Sequence, residues 1–400
     1  MNDSQLMRGF PPVEAGQVTL ANWRKPPFNK WSFLHTRELI PSADIPNDPE
    51  RVWKLQHSPV DMSGLILRFG GEVMPFGVFL EHTNTDGIVI LHRGRVVFEH
   101  YTGPMTRETP HIFMSVSKSM LGLLVGVLVE RGLLRLDSLA TDIIPEVAET
   151  AYAGVTLRNL LDMQVGIRFD ENYLAASGAI IEYRKAQGWD PYGPGESPSD
   201  LRSFYRNLKE TEGRHGGPFH YVSPNTDLLG WVIERQTGKR YCDLASELLW
   251  RPLGAARSAY ITVDRLGAPR CAGGFCATTE DLARVGQLLI QSGRRESQQI
   301  IPKSWLDDIW AAGDRDAWDK GDFTTYLPGF PVKYRSKWYT LTGQQPILFG
   351  LGVFGQNVFI DPSNEIVVAK FSSQALPMDE DRIQMTTNAI PQICRFLTGS

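Results

Sequence analysis

Ser115 and Lys118 are the two residues of this sequence that could form a nucleophile and its base. They are three positions apart, so a helix that begins near Ser115 would place both side chains on one face. The apolar run 120–129 would remove Lys118 from water and lower its pKa, which would make the amine a usable base. Free N–H groups at the helix start would favour negative charge at Ser115. The pattern predicts an active-site serine opening a buried helix.

The elements that must position this pair follow from the hydrophobic patterns. Strand-like segments flank short turns near both ends of the chain, at 88–91 with 95–98 and at 358–360 with 366–371, and each pair predicts a β-hairpin. Helical periods dominate the middle, and the better helices are predicted at 157–163, 198–208, 227–237 and 241–250, with a closing helix at 379–397.

These patterns predict an α+β fold in which both termini contribute to one antiparallel sheet covered by helices. Residues 1–132 and 265–400 would form a discontinuous α/β domain, with a mostly α-helical domain inserted at 133–264. The aromatic-rich first 60 residues predict an arm packed on the body. The stretch 164–197 is predicted to be an irregular loop lining a substrate cleft.

Composition excludes several classes of function. The 400 residues carry a formal net charge of −4 without a long basic run, which argues against nucleic acid as a partner. The apolar run 120–129 is about half the length of a membrane span, and no secretory signal is evident at the N-terminus, so we expect a cytoplasmic protein without membrane contact. Four scattered cysteines predict neither a disulfide framework nor a metal site. No cofactor is expected.

A second motif, Tyr221-Val222-Ser223, precedes the helix predicted at 227–237, and Gly350-Leu351-Gly352 stands where a third motif would lie on an edge strand. Together with Ser115-x-x-Lys118, these motifs follow one another along the chain in an order that resembles the motif order of the penicillin-recognising serine hydrolases. Within that superfamily the chain resembles the 6-aminohexanoate-dimer hydrolases, which have a class C β-lactamase fold and also act as carboxylesterases. The similar segments cover nearly the whole chain and include 26–31, 114–119, 161–164, 223–227, 281–286 and 355–357.

The resemblance assigns roles to individual residues of this sequence. Ser115 would be the nucleophile, Lys118 its base and Tyr221 the group that carries a proton to the leaving group. The backbone N–H groups of Ser115 and Val353 would bind the oxyanion, with Gly352 allowing the strand to approach closely.

The remaining candidates concern the substrate. Tyr173 would contact the scissile bond as its loop closes, and Trp338 is a looser candidate for an aromatic wall. Ser223 would contact substrate or cap the next helix, whereas capping is favoured for Asn225. Two positions tied in the family to nylon-dimer turnover, an acid and an asparagine, are Arg184 and Ala272 here.

The third motif also lacks the lysine that would hold a penicillin carboxylate. We therefore predict a serine hydrolase acting through an acyl-enzyme on short esters and on linear amides such as 6-aminohexanoate oligomers. The alternatives are a genuine 6-aminohexanoate-dimer amidase, a β-lactamase or DD-peptidase, and a non-catalytic binding protein on the same fold. The partner would be a small-molecule ester or amide, and the oligomeric state stays open, a homodimer included.

Overall fold

The computed structural model describes residues 5–399 and is built on an eight-stranded sheet. Three of its strands come from the first quarter of the chain, β2 (Gln56–His57), β5 (Thr85–His92) and β6 (Arg95–Tyr101). Five come from the last quarter, β12 (Val332–Arg335), β13 (Trp338–Leu341), β14 (Ile347–Gly352), β15 (Gln356–Asp361) and β16 (Ile366–Ser372). Their order is β12-β13-β14-β15-β16-β5-β6-β2, so β16 pairs with β5 and joins the two ends of the chain. This confirms the predicted sheet.

Both predicted hairpins are present, and turn chemistry explains the first. β5 and β6 pair antiparallel around Arg93 and Gly94, whose φ angles of 51° and 74° match the left-handed turn that a two-residue hairpin requires. β15 and β16 form the second hairpin, with Asp361 opposite Ile366.

Smaller sheets complete the strands. A four-stranded sheet has the order β1-β8-β9-β7, and two isolated hairpins pair β3 with β4 and β10 with β11. Their bounds are β1 (Ser42–Ile45), β3 (Ile66–Phe69), β4 (Glu72–Pro75), β7 (His111–Ile112), β8 (Ala259–Thr262), β9 (Phe275–Ala277), β10 (Arg294–Arg295) and β11 (Gln298–Gln299).

Fourteen α-helices are present among residues 5–399. The early ones are α1 (Asn29–Ser32), α2 (Phe76–His82), α3 (Val116–Glu130), α4 (Ala140–Ile143), α5 (Leu157–Leu161), α6 (Ala179–Ala186) and α7 (Leu201–Phe204). The later ones are α8 (Pro224–Thr237), α9 (Tyr241–Ala245), α10 (Arg251–Leu253), α11 (Thr279–Ile290), α12 (Lys303–Ala311), α13 (Arg315–Asp319) and α14 (Glu380–Thr398). In the described part of the chain every element between β7 and β8 is a helix, as predicted for the middle region. The division into two domains stays a prediction.

The helix and loop predictions need four corrections. The stretch 164–197 is not wholly irregular, because α6 lies inside it. The segment predicted as one helix at 198–208 holds only α7 and a short 3-10 turn, and that at 241–250 is α9 followed by a π-helical turn. α8 begins at Pro224, a residue suited to the first helical position, so Asn225 lies inside the helix and the capping role expected of it is wrong.

α3 is the central buried helix, and two glycines allow its close packing. A Cβ at Gly122 would lie 2.2 Å from the carbonyl oxygen of Ser336, and one at Gly126 would lie 2.4 Å from the Trp305 ring. Every residue from Val116 to Leu128 is buried. The start of α3, and with it Ser115, is therefore fixed in position.

Candidate active site

A strained turn presents Ser115 at the start of α3. Met114 immediately before it has φ of 45°, a left-handed conformation that costs a non-glycine residue of order 1–3 kcal/mol. Ser115 is the N-cap residue, and the N–H groups of Val116, Ser117 and Lys118 donate to the carbonyl oxygens of residues 113–115. The N–H of Ser115 itself has no such partner among residues 5–399, so it is the amide available beside the serine hydroxyl.

Lys118 contacts the Ser115 hydroxyl directly. Its Nζ lies 2.9 Å from Ser115 Oγ and donates a second hydrogen bond of 2.8 Å to the carbonyl oxygen of Ala272. Burial lowers the pKa of the Lys118 ammonium from 10.5 to about 7, although the attraction of Glu171 opposes the change. A substantial fraction of this amine is neutral near pH 7 and can accept a proton.

Tyr221 lies on the other side of the Lys118 amine. The Nζ is 4.9 Å from the centre of the Tyr221 ring, and the tyrosine is 4% exposed. Burial raises the pKa of Tyr221, while a hydrogen bond with the Ser115 side chain acts in the opposite direction. The phenol therefore keeps its proton at neutral pH and is a donor beside the serine oxygen.

The end of β14 passes against the Ser115 backbone, and only glycine fits there. A Cβ on Gly352 would lie 3.0 Å from the Ser115 nitrogen and 2.8 Å from the carbonyl oxygen of Phe113. Val353 follows and lines the same cavity as Ser115. Phe354 then turns the chain with φ of 64° and donates its N–H to the carbonyl oxygen of Pro377 at 2.9 Å. This arrangement supports the predicted pair of oxyanion donors.

The loop that contains Ala272 is fixed by a buried ion pair. Arg270 donates to Asp227 at 2.6 Å, and the other oxygen of Asp227 accepts the N–H of Ala272 at 2.8 Å. Ala272 thereby holds its carbonyl oxygen toward Lys118. Sequence reasoning missed Arg270 and Asp227, because residues 43 positions apart give no local signal of their pairing.

Ser115 opens into a first cavity of about 280 Å³. Its wall includes three aromatic side chains, Trp23, Tyr173 and Trp189, together with Ser223, Arg184 and Ala272, all three of which the sequence singled out. Trp23 comes from the N-terminal arm, and its ring lies edge-on to Trp189 at 5.1 Å between centroids. The arm predicted to pack on the body therefore also lines the site.

Trp338 requires a correction. It is completely buried within β13, and the first cavity is lined by other residues. Successive side chains of a strand point to opposite faces of the sheet, and the sequence alone did not show to which face Trp338 points.

Glu171 is the carboxylate that the sequence-based prediction missed. It accepts a 3.0 Å hydrogen bond from the Tyr173 phenol and a 2.8 Å hydrogen bond from the backbone N–H of Ser223. It thus ties the Tyr173 loop to the start of α8. Its place two residues before Tyr173 in an acidic loop was the available signal.

A second cavity of about 460 Å³ lies on the Tyr221 side. Tyr173 and Glu171 line both cavities, so this loop forms the partition between them. The second cavity is lined by four carboxylates, Asp170, Glu171, Asp322 and Glu380.

The described residues show neither a metal-binding cluster nor a membrane-spanning helix. No group of three or more His, Cys, Asp or Glu side chains in that range is arranged to hold a metal ion. The four cysteines are free and buried. None of the helices described is both long and apolar enough to cross a membrane.

Comparison with known proteins gives consistent matches. The profile of the Beta-lactamase family matches residues 79–389. A 6-aminohexanoate-dimer hydrolase from Paenarthrobacter ureafaciens is 33% identical over 369 residues, which is 91% of this chain and 90% of that protein.

Two solved structures show the same fold. A Bacillus anthracis protein named as a candidate 6-aminohexanoate-dimer hydrolase superposes with a TM-score of 0.87 at 28% identity, covering 96% of this chain and 98% of its own. An octameric penicillin-binding protein homologue from Pyrococcus abyssi superposes with a TM-score of 0.59 at 21% identity, covering 78% of this chain and 75% of its own.

Proposed function

The chain belongs to the beta-lactamase family of hydrolases, and we propose that it cleaves short carboxylic esters and linear amides through an acyl-enzyme on Ser115. The observation that carries this proposal is the 2.9 Å contact between Ser115 Oγ and a lysine amine whose pKa burial has lowered to about 7. A neutral serine needs such a base to become a nucleophile.

In the first half-reaction Lys118 takes the Ser115 proton while Oγ attacks the substrate carbonyl carbon. The resulting oxyanion lies between the N–H groups of Ser115 and Val353. When the bond to the leaving group breaks, Tyr221 donates its proton to the departing oxygen or nitrogen and recovers one from the Lys118 ammonium. The acyl group stays in the first cavity, hereafter the acyl cavity, and the leaving group departs beside Tyr221.

In the second half-reaction water replaces the leaving group. Lys118 and Tyr221 take a proton from the water as it attacks the acyl carbon, and the tetrahedral intermediate collapses with return of a proton to Ser115 Oγ. The same donors bind the oxyanion in both steps, so one geometry serves acylation and deacylation.

A genuine 6-aminohexanoate-dimer amidase is the second candidate, favoured by the relative that is 33% identical over 91% of the chain. Arg184 argues against it, because a guanidinium repels the dimer's terminal ammonium. β-Lactam hydrolysis is less favoured, since the third motif, Gly350-Leu351-Gly352, has no lysine. A non-catalytic binding protein would not need the Ser115–Lys118 contact.

The test is a side-by-side assay of p-nitrophenyl acetate, the 6-aminohexanoate dimer and nitrocefin, combined with covalent labelling. We expect ester turnover, and we expect a fluorophosphonate to add its mass to Ser115. Ser115→Ala should lose both, and the exposed Ser363→Ala should lose neither. A wild-type protein that neither turns over ester nor accepts the label would refute the proposal.

A further inference from the structure

The acyl cavity is lined by buried polar atoms that no described residue satisfies. Gln187 lines it and is 1% exposed, yet neither its amide nitrogen nor its amide oxygen has a hydrogen-bond partner among the described residues. The Nε of Arg24, on the same wall, is also buried without a partner there. A buried amide left unpaired is costly, so such a group requires a partner from outside the chain, either water or a ligand.

The charge of the cavity wall has one dominant sign. Among the described residues that line it, Glu171 is the single carboxylate, and it accepts hydrogen bonds from Tyr173 and Ser223. Four lining residues within 5–399 carry a positive charge, namely Arg24, Lys25, Arg184 and Arg270.

The acids that pair with these cations lie behind the wall rather than on it. Asp190 pairs with Arg24 and lies 3.9 Å from Arg184, and Asp227 pairs with Arg270, but neither acid lines the cavity. One Asp190 carboxylate therefore serves two guanidinium groups. Burial lowers the pKa of Arg24 to about 10, and the repulsion of Arg184 acts in the same direction.

We propose that Gln187, Arg24 and Arg184 form an anion-binding subsite at the end of the acyl cavity, and that the preferred substrates are esters or amides whose acyl chain ends in a carboxylate. This inference rests on the proposed function, because it names the substrate class of the same site. Guanidinium groups bind carboxylates through parallel charge-assisted hydrogen bonds, and the Gln187 NH₂ adds a neutral donor. The apolar part of the chain would pass over the Trp23 and Trp189 rings, which contact each other edge-on.

The same geometry disfavours the opposite charge. The 6-aminohexanoyl group ends in an ammonium, which would face Arg24 and Arg184 with Asp190 behind them. Arg184 is therefore a determinant of charge preference in the acyl group, in addition to its 2.6 Å hydrogen bond to the carbonyl oxygen of Tyr173.

Three methyl esters of similar length test the charge preference in the wild-type protein. They are monomethyl adipate, methyl hexanoate and methyl 6-aminohexanoate, with acid release followed at pH 7.5. We expect kcat/KM for monomethyl adipate to exceed that for methyl hexanoate by about tenfold or more, the effect of one hydrogen bond to a charged group. Methyl 6-aminohexanoate should be the slowest.

A binding measurement gives a second readout that needs no variant. Adipamate, the half-amide of adipate, should inhibit p-nitrophenyl acetate hydrolysis at a concentration at least about tenfold lower than hexanamide, which has no carboxylate. 6-Aminohexanamide should inhibit less than either. Equal inhibition by the three amides would overturn the subsite.

Variants assign the effect to the proposed residues. Gln187→Leu and Arg184→Met should each reduce the kcat/KM ratio of monomethyl adipate to methyl hexanoate at least severalfold. Gln291→Leu makes the same chemical change at an exposed position and should leave the ratio as in the wild type. An unchanged ratio in both Gln187→Leu and Arg184→Met would overturn the assignment.

Failure of the subsite and failure of the proposed function give different results. If the wild type hydrolyses methyl hexanoate at least as fast as monomethyl adipate, the subsite is refuted and the hydrolase proposal stands. If it hydrolyses none of the three esters and no p-nitrophenyl acetate, the hydrolase proposal itself fails.

Discussion

Replacing Lys118 by methionine should abolish hydrolysis and make the protein more stable. Burial lowers the pKa of this lysine from 10.5 to about 7, so folding forces the amine into a state that water does not favour. At about 1.36 kcal/mol per pKa unit, that drop corresponds to a cost of about 5 kcal/mol at neutral pH. Methionine removes this cost but leaves Ser115 Oγ and the Ala272 carbonyl without their donor, at about 1 kcal/mol each. The net gain expected is about 2–3 kcal/mol.

The sign of the pH dependence makes this prediction specific. Between pH 7 and 10.5 the unfolded chain holds a proton on Lys118 that the folded protein has released, so wild-type stability rises with pH by up to about 1.4 kcal/mol per unit. Below pH 7 both states carry the proton and the cost is constant. The advantage of Lys118→Met should therefore be largest below pH 7 and should disappear toward pH 10.

Urea unfolding at pH 6, 7, 8 and 9 measures this difference. Lys209→Met is the matched control, because it makes the same chemical change at an exposed position. The wild-type kcat/KM for p-nitrophenyl acetate should rise with pH through an apparent pKa of about 7. A Lys118→Met protein that is less stable than wild type at pH 6, or a stability gap that does not shrink with pH, would refute the lowered pKa.

Further predictions concern single groups around Ser115. Tyr221→Phe should lower ester and amide kcat by about 10²–10⁴, since the phenol acts as a proton donor. The fluorophosphonate should still label Ser115, because Tyr221 is not the nucleophile. An unchanged kcat would remove Tyr221 from the mechanism. Gly352→Ala should lower kcat by about 10²-fold with a smaller effect on KM. The reason is that the alanine Cβ would lie 3.0 Å from the Ser115 nitrogen and displace the oxyanion donors. A rise in KM without a fall in kcat would contradict this prediction. Gln187→Leu should raise the free energy of unfolding, measured in urea, by about 1 kcal/mol, because it removes a buried unpaired amide. A loss of stability would show that water or protein satisfies the amide.

Local signals in the sequence were sufficient for much of the scaffold. The hairpin around Gly94, the buried helix after Ser115 and the closing helix that begins at Glu380 each follow from periodicity and turn chemistry within a few residues. Asp379 caps that helix by accepting the N–H of Arg382 at 3.1 Å, a pattern readable from sequence. The pairing of Ser115 with Lys118 also follows from helical spacing alone.

What the sequence did not reveal depends on contacts between distant segments. The Arg270–Asp227 pair, the approach of Trp23 to Trp189 and the burial of Trp338 are set by how helices and strands pack, not by neighbours along the chain. The helix α6 was missed because its glycine-rich and proline-rich flanks dominate the local pattern. The sequence marked Arg184 as unusual, but only the structure shows that it shares Asp190 with Arg24.

The N-terminal arm connects the strained backbone at Ser115 with the proposed specificity of the acyl cavity. The two amides proposed to bind the oxyanion are each next to a residue in the left-handed region, Met114 and Phe354, and both residues are almost fully buried. They belong to one hydrophobic cluster with Phe33 and Trp23 of the arm, and the Phe33 ring lies 5.2 Å from that of Phe354. Such strain persists only where surrounding packing holds it. The packing that holds the proposed oxyanion donors in place therefore also fixes the arm next to the acyl cavity, where Arg24 follows Trp23 directly. If both proposals hold, catalysis and choice of acyl group depend on the same contacts.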